Sequence, residues 1–226
     1  TRFVATTFAS TALPHATLIG MPLRRETASL DRGVNRAEGL AHFGLVDHRP
    51  TLLITGGSLG AQRFNTTFAS RVDALRSHGI QVLHISGQGK EFVPHPLMDG
   101  PPYVVAAYAD RMDLAYAVAD LVVARAGANS VCELTAVGLP AVYVPLPIGN
   151  GEQRLNAGDV VAAGGGMLVD DSSLTAEWID ETLVPLAIDG PRIRAMAAAA
   201  GTIGEREADE RLADLVALAA DSRGAR

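Results

Sequence analysis

The sequence contains one cysteine, Cys132, among its 226 residues. A single cysteine excludes a disulfide within the chain and a zinc site built from cysteines, so we expect a reducing cytoplasm as the compartment. No stretch reaches the roughly 18 consecutive apolar residues of a membrane-spanning helix. The six histidines show no spacing typical of a metal site. The sequence therefore predicts neither a disulfide-stapled protein nor a membrane-spanning one, and it predicts no metal site.

Positive charge is scarce as well, since 19 Lys and Arg residues against 25 Asp and Glu residues give a net charge of −6. Nucleic-acid-binding proteins are normally basic, so we expect no nucleic-acid partner. The chain is rich in apolar residues (48%) and in glycine (23 residues). At this length it can form one α/β domain with an appendage. Because it starts at Thr1 without a methionine or a signal-peptide pattern, we expect a piece of a longer protein.

Six short apolar segments alternate with helix-like segments from Pro50 onward. Such segments are typical of strands that are buried on both faces of a parallel sheet. Their alternation predicts a Rossmann-like α/β fold, a doubly wound parallel sheet of about six strands. The predicted strands are 51–55, 80–86, 103–107, 121–124, 141–144 and 167–169. The predicted helices are 62–77, 112–118, 130–137, 156–163 and 174–186, followed by two helices rich in Ala, Arg and Glu.

The composition divides the chain into four parts. Residues 1–25 have the pattern of strand fragments, from the edge of an upstream domain or from a linker. Residues 26–48 are charged and weakly helical, which is typical of a connector. We expect the sheet-forming domain over residues 49–190 and C-terminal helices over residues 191–226.

Two turns of small residues follow predicted strands and precede predicted helices. The first is Gly56-Gly-Ser-Leu-Gly-Ala61, and the second runs from Ala126 to Ser130. In the second turn, Asn129 or Ser130 is expected to cap the helix that follows. Amides at helix N-termini attract anions, so the two turns together predict a diphosphate between them. The first turn matches neither the nicotinamide nor the ATP fingerprint, and by itself it is equally consistent with a plain tight turn.

Glu133 lies one helical turn beyond the second glycine turn. A carboxylate at this position could accept hydrogen bonds from both hydroxyls of a ribose. The alternative is an acidic residue that is favoured near a helix N-terminus by the helix dipole alone.

These motifs together resemble the MurG family of bacterial peptidoglycan glycosyltransferases (family 28). The resemblance covers nearly the whole chain and implies the C-terminal, donor-binding domain of the GT-B fold. It implies an N-acetylglucosaminyltransferase that moves N-acetylglucosamine with inversion from UDP-N-acetylglucosamine to lipid I and forms lipid II. It is carried by the Gly56 turn with Asn65 downstream, Arg125-Ala-Gly-Ala-Asn-Ser-Val-Cys-Glu133, Gly138-Leu-Pro-Ala-Val-Tyr-Val-Pro145 and Glu152-Gln-Arg-Leu-Asn156.

The resemblance also implies which residues bind UDP-N-acetylglucosamine. Arg24 would contact a phosphate, and Ser58 would lie at the donor diphosphate. Ala109 would read uracil through its backbone with Met112 nearby, and Gln153 would contact the transferred sugar. The segment expected to supply amides to phosphate and sugar, and a carboxylate to ribose, is Ala128, Asn129, Ser130, Val131, Cys132 and Glu133.

Several implied features lie outside the chain. The catalytic base, the lipid I site and the surface facing the membrane would belong to an N-terminal domain. The full-length protein would be cytoplasmic and peripheral to the inner face of the bacterial membrane. No Asp-x-Asp triplet occurs, so we expect no carboxylate-held metal and no cofactor. Helix N-termini, loop amides and Arg24 would then stabilise the charge on the leaving UDP.

Three alternatives remain open at this point. The chain could come from another GT-B glycosyltransferase or from a UDP-N-acetylglucosamine epimerase. It could also be a non-catalytic nucleotide-sugar-binding module. Competition between UDP-sugars would distinguish the enzyme alternatives, because Gln153 should favour N-acetylglucosamine. A second Rossmann-like domain upstream would argue against the non-catalytic module.

Overall fold

The computed structural model describes residues 2–57, 62–94, 100–148 and 150–224. Two parallel sheets are present in these parts. The smaller one pairs β1 (Val4–Thr6) with β2 (Ala16–Leu18). The larger one contains β3 (Thr51–Thr55), β4 (Gln81–Ile85), β5 (Tyr103–Ala106), β6 (Leu121–Ala124), β7 (Ala141–Tyr143) and β8 (Gly166–Leu168). Its order is β5-β4-β3-β6-β7-β8 with every neighbouring pair parallel, which confirms the predicted doubly wound sheet.

Helices flank the strands along the whole chain, and none of them within the described parts has the length and hydropathy needed to cross a membrane. A 3-10 turn covers Asp171–Ser173, and a π-helical turn, Ile179–Leu183, joins α9 to α10. The helices are α1 (Arg25–Ala28), α2 (Arg32–Phe43), α3 (Gln62–Ala69), α4 (Val72–Ser77), α5 (Met112–Val118), α6 (Ala128–Ala136), α7 (Glu152–Asn156), α8 (Gly158–Ala162), α9 (Ala176–Trp178), α10 (Val184–Ile188), α11 (Gly190–Gly201) and α12 (Ala208–Gly224).

A hydrophobic core lies on each face of the large sheet. Within β3, Leu53 faces one core while Leu52 and Ile54 face the other, because side chains alternate along a strand. The Leu53 side is covered by α2, α5, α6 and α8, and the opposite side by α3, α4 and α9 to α11. Burial on both faces explains why these strands have continuous apolar sequences.

Some helix boundaries differ from the predictions. The predicted helix 62–77 is divided at Ser70, whose hydroxyl donates to the Thr67 carbonyl over 2.7 Å and competes with the helix. The helix predicted near residues 174–186 begins two residues later, at Ala176. Its cap is Thr175, whose hydroxyl accepts a hydrogen bond from the Trp178 amide over 3.2 Å.

The predicted helix 156–163 begins earlier, at Glu152, and is divided into α7 and α8 at Ala157. Gly151 precedes it with φ 82°, a left-handed conformation that glycine adopts without strain. Residues of this loop therefore enter α7 rather than an extended segment. As a result, Gln153 lies on a helix beside the carboxyl edge of the sheet.

Candidate functional site

The order of the strands reverses between β3 and β6, which lie side by side at the centre of the sheet. The helices that follow them, α3 and α6, pack on opposite faces. In folds of this kind a crevice opens at the carboxyl ends of the two strands, and ligands bind there. Thr55 pairs with Ala124, so the turns that begin at Gly56 and Arg125 are neighbours. The structure thus brings Gly56 and Gly57, the described start of the first turn, next to the start of the second turn.

Helix α6 begins in this crevice without a side-chain cap. Its N-cap residue is Gly127, in an extended conformation with φ −63° and ψ 146°. The prediction that Asn129 or Ser130 caps the helix is wrong, because both lie inside the first turn. The amides of Ala128, Asn129 and Ser130 are first-turn groups that have no acceptor within the helix. The Val131 amide, in contrast, donates to the Gly127 carbonyl over 3.0 Å.

Glu133 is fixed by a tyrosine from the neighbouring helix α5. The Tyr116 hydroxyl donates to Glu133 Oε2 over 2.7 Å, and the tyrosine is 3% exposed. Burial and the Glu133 carboxylate raise the pKa of Tyr116, whereas the charge of Arg24 acts in the opposite direction. Arg24 itself is exposed and extended, immediately before α1. Arg24 and Glu133 therefore belong to one electrostatic neighbourhood, although they are far apart in sequence.

The loop after β7 is held against the turn that precedes α6. Asn156 Nδ2 donates to the Ala126 carbonyl over 3.0 Å. Gln153 Oε1 accepts a hydrogen bond from the Leu146 amide over 3.0 Å. The other end of the side-chain amide, Nε2, is a hydrogen-bond donor. These contacts place Gln153 beside the crevice.

Arg125 joins three of the surrounding segments. Its Nη1 lies 2.6 Å from Asp171 Oδ1 and donates to the Val144 and Pro145 carbonyls over 3.1 and 3.3 Å. Its guanidinium carbon lies 4.7 Å from the centroid of the Phe64 ring. Nothing in the sequence alone predicts this role for Arg125. The only signal in the sequence is a charge directly after a buried apolar strand.

A second network supports the start of α3. Asn65 Nδ2 donates to the Ser86 carbonyl over 3.0 Å, and Asn65 Oδ1 lies 3.0 Å from His84 Nε2. The other ring nitrogen, His84 Nδ1, lies 2.9 Å from the Tyr103 hydroxyl. Burial lowers the pKa of His84 to about 3. A neutral imidazole therefore connects α3 to β4 and β5.

The remaining predicted site residues differ in their exposure. Ala109 is buried, and Met112 begins α5 and packs on its core. The side chains of Val131 and Cys132 line a cavity of about 170 Å³ between α6, α8 and the β1–β2 pair. Burial, and to a lesser extent Glu133, raises the pKa of Cys132 to about 12, so its thiol stays protonated near neutral pH. Ser58 lies outside the described residues.

Among the residues that the structure describes, no group of three or more His, Cys, Asp and Glu side chains could hold a metal ion. The first-turn amides of α6 offer partial positive charge to this crevice, and the charge of Arg24 acts on Tyr116, the partner of Glu133. This arrangement suits a diphosphate better than a neutral ligand.

Known proteins resemble the chain over most of its length. A family model described as the glycosyltransferase family 28 C-terminal domain matches residues 51–214. A protein of a Nocardioides species is 54% identical over 215 residues, which is 94% of this chain and 59% of that protein. Its name is UDP-N-acetylglucosamine–N-acetylmuramyl-(pentapeptide) pyrophosphoryl-undecaprenol N-acetylglucosamine transferase. A protein of the same name from Streptomyces coelicolor is 51% identical, with 97% of this chain and 61% of that protein covered.

Solved structures show the same similarity. The crystal structure of Acinetobacter baumannii MurG has a TM-score of 0.75 and 25% identity, with 94% of this chain and 59% of that chain covered. A glycosyltransferase of kitacinnamycin has a TM-score of 0.61 at 22% identity over 89% of this chain and 48% of that one, and this likeness concerns the fold alone. The chain thus spans about three fifths of the length of the curated relatives described above.

Proposed function

The chain belongs to the glycosyltransferase family 28 C-terminal domain family, and on this premise we propose that it is the UDP-N-acetylglucosamine-binding part of an inverting N-acetylglucosaminyltransferase. The whole protein would transfer N-acetylglucosamine to lipid I and form lipid II in peptidoglycan synthesis. The observation that carries the proposal is the uncapped N-terminus of α6 at the reversal point between β3 and β6. The names of the relatives support the choice of donor.

The donor diphosphate would lie over the first turn of α6. The amides of Ala128, Asn129 and Ser130 would donate to phosphate oxygens, and a helix N-terminus carries roughly half a positive charge. Arg24 would add a full positive charge nearby. When the bond from the sugar to the diphosphate breaks, negative charge grows on the leaving UDP. Donors that are already in position stabilise that charge without reorganisation, which lowers the barrier.

The nucleoside would extend from this point along α5. Glu133 would accept hydrogen bonds from the ribose hydroxyls, and its partner Tyr116 lies on α5. Met112 lies on the same helix one turn before Tyr116, so the uracil region after β5 would adjoin the ribose. Gln153 Nε2 would donate to the N-acetylglucosamine from the other side of the crevice. Val131 and Cys132 would act through the packing of α6 on its core.

The rest of the reaction would need residues outside this chain. We place the catalytic base, the lipid I site and the contact with the cytoplasmic face of the membrane in the part of the protein that relatives have in addition. Residues 1–25 would border that part, and residues 49–190 would form the donor domain. Through cell-wall synthesis the whole protein would contribute to cell shape and division. We expect this chain to bind UDP-sugars weakly and not to turn them over alone.

Calorimetric titration with UDP tests the site. Glu133→Ala and Ser58→Ala are each expected to weaken binding, and for Glu133 roughly tenfold or more, because a charged group makes the hydrogen bonds. Glu210→Ala is the matched control, since Glu210 is exposed on α12. Unchanged affinity in both Glu133→Ala and Ser58→Ala would show that the site is assigned wrongly.

The choice of sugar has its own test. UDP-N-acetylglucosamine should compete with bound UDP better than UDP-glucose does, and Gln153→Ala should reduce that difference. Equal competition by the two sugars would favour another GT-B glycosyltransferase as the parent protein.

A further inference from the structure

We propose that Tyr116 is a positioning residue for Glu133, and that its hydroxyl fixes the carboxylate so that the second oxygen, Oε1, faces the ribose. This inference rests on the proposed function, because it assumes that Glu133 is the ribose-binding carboxylate. It adds a residue that touches neither nucleotide nor sugar. It also predicts how selectivity for ribose over deoxyribose arises in this chain.

The two side chains come from neighbouring helices on one face of the sheet. Tyr116 lies in the middle of α5, and Glu133 lies in the second turn of α6. The distance of 2.7 Å between the hydroxyl and Oε2 is that of a short hydrogen bond to a charged acceptor. The aromatic ring is held in the core and has few rotamers, whereas a free glutamate has many. The tyrosine can therefore impose one orientation on the carboxylate.

The protonation of Tyr116 supports this role. Burial and the adjacent carboxylate raise the pKa of the phenol. The hydroxyl consequently stays protonated in the physiological range and always donates. Oε2 is occupied by this bond, so Oε1 is the oxygen that has its full capacity to accept from ribose hydroxyls.

A second buried tyrosine in the same core allows the bond to Glu133 to be separated from burial. Tyr143, in β7, is fully buried in the same core cluster. Its hydroxyl has no hydrogen-bond partner among the described residues. Burial in this core therefore does not by itself give a phenol a protein partner, and the bond of Tyr116 depends on the position of Glu133. Tyr143 also provides a matched control, because Tyr143→Phe removes the same atom from the same core.

The test measures the affinity of each variant for UDP and for 2′-deoxy-UDP by calorimetry. Loss of the hydroxyl in Tyr116→Phe should weaken UDP binding roughly threefold to tenfold, which corresponds to one hydrogen bond. Binding of 2′-deoxy-UDP should change less, because one of the contacts that depend on Glu133 is already absent. The preference for UDP should therefore shrink in Tyr116→Phe and stay at the wild-type ratio in Tyr143→Phe.

A purely structural role would give a different result. In that case the affinities for both ligands would fall by the same factor together with the melting temperature, and the preference for UDP would persist. That result, or an unchanged affinity for UDP, would overturn the inference.

The Glu133→Ala variant separates this inference from the proposed function. If Glu133→Ala weakens UDP binding and Tyr116→Phe does not, the ribose site stands and the positioning role is wrong. If Glu133→Ala leaves binding unchanged, the ribose role of Glu133 and the positioning role of Tyr116 are both wrong. Adding Tyr116→Phe to Glu133→Ala should cost no further affinity, because residues that act through one contact are not additive.

Discussion

The buried imidazole of His84 makes the stability of this domain dependent on pH. It lies between Asn65 and Tyr103 and has no exposed surface. Asn65 uses its amide nitrogen to donate to the Ser86 carbonyl, so its oxygen must accept from His84 Nε2. His84 Nδ1 is then the acceptor for the Tyr103 hydroxyl. Only the neutral ring satisfies both neighbours, and a second proton on the ring would disrupt the bond to Tyr103.

The size of the effect follows from the pKa of His84, which burial lowers from 6.5 to about 3. Because the unfolded chain binds this proton more readily than the folded chain, the contribution to stability is complete above pH 6.5. It is lost progressively as the pH falls toward 3. Between about pH 7 and about pH 5, the loss in the free energy of unfolding is about 2 kcal/mol. For a protein of this size that lowers the melting temperature by roughly 4–8 °C.

Urea unfolding at these two pH values, in wild type and in His84→Gln, measures the effect. The glutamine variant should be less stable overall and should lose about 2 kcal/mol less than wild type on acidification. His42→Gln removes an exposed imidazole and should keep the wild-type pH dependence. If His84→Gln keeps it too, the assignment of a neutral buried ring is wrong. Titration of the His84 ring protons by NMR gives the same answer without a variant, since their shifts should not move down to about pH 5.

Two further predictions concern arginines. A lysine at position 125 cannot contact both the loop carbonyls and the Phe64 ring. The affinity of Arg125→Lys for UDP-N-acetylglucosamine should therefore be roughly threefold to tenfold weaker than that of the wild type, while its affinity for UDP should change less. Arg192→Lys, at an exposed position on α11, is the control, and calorimetry that finds equal losses in both variants would contradict the role of Arg125. Arg32 donates to the Tyr116, Ala119 and Gly138 carbonyls, so Arg32→Met should lower the free energy of unfolding by about 1–3 kcal/mol in urea. Arg25→Met, at an exposed position, should be neutral, and an equally small loss in Arg32→Met would refute this reasoning.

Strands were the most predictable part of the chain. All six strands of the large sheet lie within two residues of their predicted ends, because each is a short apolar run between turn residues. Helix α5 was predicted with the observed bounds, Met112–Val118. These features depend on local pattern, which a sequence displays directly.

The contacts that complete the site depend on crossings between distant segments. Tyr116 and Glu133 meet only because α5 and α6 lie over the same face of the sheet. Arg125 meets Asp171 only because β6 and β8 end at the same edge. No local pattern specifies such a pair. The cap of α6 was missed for a related reason, since Asn and Ser are more favoured N-caps than Gly, whereas the fold starts the helix after Gly127.

The uncapped N-terminus of α6 has a cost that its other end offsets. A helix with a glycine N-cap is less stable than one with a Ser or Asn cap by about a few tenths of a kcal/mol. At the opposite end, Arg206 Nε donates to the Ala136 carbonyl over 2.7 Å, and Arg32 Nη1 donates to the Gly138 carbonyl over 3.3 Å. Positive charge at a helix C-terminus contributes about 0.3–1 kcal/mol for each such group.

These two arginines therefore allow the first-turn amides to remain open in the free protein. A diphosphate that binds there would complete the helix rather than compete with a cap for the same amides. Its binding free energy would then add to the stability of the fold. At a concentration about one hundred times its Kd, UDP should raise the free energy of unfolding by about 2.7 kcal/mol. This arrangement of α6 predicts that gain in the free energy of unfolding for the wild type and for Glu210→Ala. The gain should be smaller for Glu133→Ala at the same UDP concentration.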